Sequence, residues 1–118
     1  MPLHVQVAQA LGWTELTDAG SGFWDGTPTK EWAKSQGFDF IPRLIVVPRY
    51  DSDWSATGPL IERLKLNLQP YYDDPAKAWV AFEGRMGING AEFLLTAPTP
   101  LTAVCNLILQ LHKAGKLV

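Results

Sequence analysis

The chain has 118 residues, 47% of them hydrophobic and 19% charged, the balance of one globular domain with a single core and too little length for two. A net charge of -2 without any Lys/Arg run excludes duplex nucleic acid as the main partner, because phosphate neutralisation needs a clustered basic face. No apolar stretch approaches a membrane span, and the single cysteine, Cys105, excludes an intrachain disulfide and points to a reducing, intracellular home.

Leu3, Val7, Ala10 and Leu11 recur at helical spacing, and Gly12 supplies the stop of a short N-terminal helix. Residues 13–16 and 22–24 read as short strands pairing across DAGSG, which offers positive-φ positions. Residues 25–40 carry turn residues at both ends and one possible helical turn, 30–35, so the segment reads as an irregular insertion. Residues 41–47 return as a strand: Pro42 sets its start at an edge or bulge, Ile45, Val46 and Val47 suit a covered strand, and Pro48 ends it.

Arg49, Tyr50 and Asp51 then sit just past the strand's carboxyl end, a position where exposed polar groups meet ligands. The middle helix that follows has two readings. It starts near Ser52, with Ser52 or Asp51 as cap and Asp53 at its positive end, and is kinked or split by Pro59; or it starts afresh with Thr57 as cap and Pro59 in its first turn. Residues 66–72, 76–83 and 92–96 read as an antiparallel meander, with Asp73, Asp74 and Pro75 turning the first strand into the second. The last element is the clearest. Thr99 caps, Pro100 opens the helix, Leu101, Val104, Cys105, Ile108 and Leu111 form one stripe, and Gly115 closes it.

Catalytic patterns are absent from the sequence: His4 and His112 stand alone in the two terminal helices, and there is no Cys pair, H-E-x-x-H, Walker A or G-x-S-x-G. The chain therefore reads as a non-enzyme with no cofactor. Cys105, on an apolar stripe, reads as a small buried hydrophobe; Asp51 and Asp53 lack the further ligands of a calcium loop and read as capping groups. Anion binding remains. The helix starts near Ser52 and Thr99 offer free N–H groups, Arg49 and Arg85 are the guanidinium groups nearest a sheet edge, and Tyr50, Trp54, Tyr71, Tyr72 and Trp79 are the rings on which a base would stack.

The order of elements, with P-x-Y-x-x-D-W over 48–54 and A-P-T-P-L-x-A-V-C over 97–105, resembles the phage ABA sandwich domain family. The likeness covers nearly the full chain and is silent on residues 25–40. It implies an α/β (α+β) fold, a three-layer α/β/α sandwich with a mainly antiparallel sheet, an N-terminal helix, a middle helix and a long C-terminal helix. Proteins of similar pattern include anti-defence sponges of the Thoeris type, which bind cyclic ADP-ribose isomers or cyclic oligonucleotides without cleaving them and assemble as oligomers.

For this chain the resemblance implies a homo-oligomeric phage protein in the cytoplasm of the infected bacterial host, holding a nucleotide-derived immune signal. Arg49 and Arg85 would neutralise phosphate, Tyr50 or Trp54 would pack on a base, and Thr99 and Asn106 would sit at the second helix start. In the family pattern an Arg follows the helix Cys. Asn106 stands there and supplies no guanidinium charge, so the ligand's identity does not carry over. The alternative is a phage protein-binding or assembly module with no small-molecule ligand, its aromatics forming the interface.

Overall fold

The computed structural model describes residues 1–71, 74–84 and 88–117. Its class is α+β, with four α-helices and two three-stranded antiparallel sheets among the described residues, and with the N-terminal, middle and long C-terminal helices expected. The strands are shared between two sheets, one in each of two units, Met1–Pro48 and Arg49–Val118.

In the first unit, α1 (Leu3–Ala10) buries His4, Val5, Val7 and Ala8. It ends at Gly12, whose φ of +107° lets the Gly12 and Trp13 amides return to the carbonyls of Gln9 and Ala8 at 3.1 and 3.0 Å. That pair of bonds is a Schellman end, which satisfies carbonyls the helix leaves open. β1 (Thr14–Gly20) and β2 (Phe23–Thr27) form the expected hairpin, longer than the sequence suggested, and turn through Gly20, Ser21 and Gly22, all at positive φ. Gly26 in β2 is a close approach: a Cβ there would lie 2.7 Å from Leu16 Cδ2 and 3.1 Å from Trp13 Cε3.

Within residues 25–40, β2 runs on to Thr27, and α2 (Lys30–Ser35) occupies the one stretch read as helical. Thr29 caps α2 by accepting from the Trp32 amide at 3.1 Å. β3 is only Ile45–Val46, paired to β2 as the edge of the sheet, and is much shorter than the strand expected over 41–47. Pro42 has no N–H to donate and Leu44 sits at φ +55°, so the ladder cannot begin earlier. The covered run also resolves into alternation, with Val46 56% exposed and Val47 buried.

In the second unit, β4 (Leu66–Pro70), β5 (Trp79–Glu83) and β6 (Leu94–Ala97) form the meander in that spatial order, with Leu68 opposite Ala81 and Ala81 opposite Leu95. β5 starts later than the sequence suggested because Pro75–Lys77 is a single 3-10 turn, opened by Asp74 accepting from the Ala76 amide. Asp73 and Tyr72 lie outside the described residues. α4 (Pro100–Lys113) packs against all three strands and buries Leu101, Ala103, Val104, Cys105, Leu107, Ile108 and Leu111. Each buried Leu or Ile side chain contributes about 1.5–3 kcal/mol relative to exposure, and α4 buries more apolar residues than any other described element of the unit. α3 (Trp54–Arg63) packs on β4 and α4.

Candidate functional site

The start of α3 carries three of the residues singled out for ligand contact, Arg49, Tyr50 and Trp54. The turn before it closes when the Ser52 and Asp53 amides bond to the Arg49 carbonyl at 3.0 and 2.7 Å. Asp53 is the cap, in place of the Ser52, Asp51 or Thr57 expected: its Oδ1 accepts from the Ser55 amide at 2.9 Å and the Ser55 hydroxyl at 2.6 Å. Those bonds, the Ser55 hydroxyl first, hold the Asp53 carboxyl below its ordinary value. Pro59 lies inside α3, which runs through it as one helix. Thr57 is buried and donates its hydroxyl to the Tyr50 carbonyl at 2.6 Å.

Arg49 lies across Asp51, with Nε 3.1 Å from Oδ1 and Nη2 3.3 Å from Oδ2. The carboxylate raises the Arg49 pKa above its already high ordinary value, so the guanidinium is charged at every physiological pH. The contact uses the Nε–Nη2 edge, and the Arg49 side chain is 51% exposed. Trp54, five residues on, is 53% exposed, whereas Tyr50 is buried. The base-stacking role expected of either ring therefore falls to Trp54, because the Tyr50 ring presents no face to solvent.

Each helix start has part of its donor set already engaged. At α3 the Ala56 and Thr57 amides bond to the Asp53 carbonyl while Ser55 is held by the Asp53 carboxylate. At α4 the Ala103 amide bonds to the Thr99 carbonyl at 3.2 Å, Thr102 donates to Thr99 Oγ1 at 3.3 Å, and Pro100 has no N–H. Thr99 is exposed and Asn106 half-buried, seven residues apart and so on one face of α4 about 10 Å along its axis. Arg85 lies outside the described residues.

Cys105 is fully buried, and burial first, then the Asp51 charge, pushes its thiol up to about 12. Among the described residues no three His, Cys, Asp or Glu side chains come together in a group able to hold a metal ion. No described helix is long and apolar enough to cross a membrane.

In the first unit a cleft of about 530 Å³ lies between α2 and residues 38–41, outside every motif singled out for ligand contact. Its signals in the sequence are the Lys30/Lys34 spacing and the F-D-F triplet after Gly37. In the second unit an open trough of about 930 Å³ runs beside α3 and β4, lined by Glu62, Lys65, Asn67, Gln69 and Phe82 among others. No protein-family model matches the chain, and no curated protein matches it.

Proposed function

We propose that the chain is a binding protein that captures a small nucleotide-derived anion without cleaving it, with Arg49 on a phosphate and Trp54 on the base. The carrying observation is a charged guanidinium and a half-exposed indole on the same capped turn, 51% and 53% exposed. Arg binds phosphate through paired N–H donors and an indole stacks on any base, so the pair covers both halves of a nucleotide. The resemblance read in residues 48–54 and 97–105 extends this to a phage anti-defence protein acting as a homo-oligomer in the infected host's cytoplasm, and to a cyclic ADP-ribose isomer or cyclic oligonucleotide as the signal.

The neighbouring acids set the limits of the site. Asp51 already engages one edge of Arg49, so a phosphate must take the other edge or displace the carboxylate. A second reading, a protein-binding or assembly module, draws on the same Trp54, since tryptophan and arginine are also the residues interfaces favour.

Calorimetric titration with cyclic ADP-ribose isomers and cyclic dinucleotides separates the two. Saturable binding that Arg49→Ala and Trp54→Ala each weaken by tenfold or so supports capture, a loss of about 1.4 kcal/mol. Heating the complex and recovering the nucleotide intact supports capture without cleavage. If none of these nucleotides produces heat or shifts the melting curve, the assembly reading replaces the first.

A further inference from the structure

The cleft in the first unit shares no residue with the start of α3. It is lined by Lys30 and Lys34 of α2, with Ala33 between them, and by Phe38, Asp39, Phe40 and Ile41. Its about 530 Å³ falls in the size range of small-molecule pockets.

We propose that this cleft binds an amphipathic organic anion, a molecule with a flat apolar body and one carboxylate, sulfonate or phosphate head. Phe38, Phe40 and Ile41 are 38%, 66% and 48% exposed, three large apolar side chains within four residues, and they line one cavity. Isolated exposed apolar residues are ordinary; a cluster around a concavity marks a binding surface.

The wall is built in advance. Gly37, at φ +86°, ends α2 with a Schellman pair, its own amide to the Lys34 carbonyl at 3.1 Å and the Phe38 amide to the Ala33 carbonyl at 3.0 Å. Phe38 is thereby folded back onto the helix and stacks on Trp32 at 6.4 Å, while Trp32 meets Trp13 edge-on at 5.1 Å. Phe40 continues the series edge-on to Phe38 at 5.7 Å. A ligand body would find these rings already ordered, at little further entropic cost.

Charge selects the head group. Lys30 and Lys34 are one helical turn apart, so their like charges repel, and an anion between them relieves the repulsion. Asp39 lines the same cleft and offsets one of the two positive charges. A single negative head suits that balance better than a polyphosphate, which separates this ligand class from the one proposed at the start of α3.

Fluorescence titration of the full chain at low salt tests the assignment, with anilinonaphthalene sulfonate as the amphipathic anion and uncharged phenylnaphthylamine as its comparison. The sulfonate is expected to bind saturably at one site per chain. Lys30→Gln together with Lys34→Gln weakens the sulfonate about fivefold, two exposed ion pairs at about 0.5 kcal/mol each, and leaves the uncharged dye unmoved. Phe40→Ser weakens both dyes. All three residues are exposed or line the open cleft, so circular dichroism and melting should match the wild type and show that the fold is kept. Absence of a saturable site, or sulfonate affinity unmoved by the lysine pair, overturns the proposal. So does sedimentation in which Phe40→Ser separates subunits that the wild type joins, because that outcome gives the cleft to a second copy of the chain.

Discussion

The Thr57 hydroxyl donates to the Tyr50 carbonyl at 2.6 Å, with both side chains buried, and so ties the turn carrying Arg49 to the body of α3. The bond crosses seven residues. Thr57→Val keeps the shape and removes the donor, leaving the Tyr50 carbonyl without it. Urea unfolding should show a loss of about 1–3 kcal/mol, the range for a buried group deprived of its partner. Thr57→Ser retains the hydroxyl and should lose less.

Lys65 ends α3 at φ +57°, with its amide 3.3 Å from the Glu62 carbonyl, in the position that Gly12, Gly37 and Gly115 hold after α1, α2 and α4. A side chain in the left-handed region costs roughly 1–2 kcal/mol, and glycine's greater freedom in the unfolded chain offsets part of the gain. Lys65→Gly should therefore stabilise the protein by about 0.5–1 kcal/mol, read as a raised urea midpoint.

Asp53 supplies a pH dependence. Its folded pKa lies below the ordinary 3.8, through bonds that exist only in the folded state. A depressed carboxyl favours folding fully above 3.8 and loses that contribution as the pH falls through the folded value. Titration of the Asp53 side-chain carbon by NMR should show the depressed value. Ser55→Ala, which removes the leading cause and keeps the amide bond, should move it back toward 3.8; an unmoved value would show that the hydroxyl does not depress it.

Cys105 should be silent in the folded protein. With its pKa at about 12, roughly one thiol in ten thousand is ionised at pH 8, and the sulfur has no exposed surface. A disulfide reagent should label one thiol per chain only in denaturant, at a rate set by unfolding. Prompt labelling of the native protein would show that α4 opens locally.

Much of the fold was legible in the residues because its signals are local. Thr99, Pro100 and the stripe from Leu101 to Leu111 predict α4 without reference to any other element, and the meander follows from three strand patterns joined by short turns. The start of α3 was harder. Asp51, Ser52, Asp53 and Thr57 are all competent caps, and no local rule ranks them; the Thr57–Tyr50 bond takes Thr57 into the core, and the amides returning to Arg49 leave Asp53 at the helix start. The cleft was missed for a related reason. F-D-F in a turn-rich segment has no readable period, and only the Schellman end at Gly37 folds it back on α2.

The sequence by itself determined where α1 and α4 stop and which strands pair in the hairpin and in the meander, because glycines, caps and turns act on partners within a few residues. Which aromatic ring is buried was decided elsewhere. Tyr50 and Trp54 stand four residues apart with similar claims to a ligand, yet one is 1% exposed and the other 53%. Burial is settled by packing between residues distant in the chain, so only the tertiary structure could leave Trp54 exposed where Tyr50 is buried and bring Phe40 to the lining of a cleft.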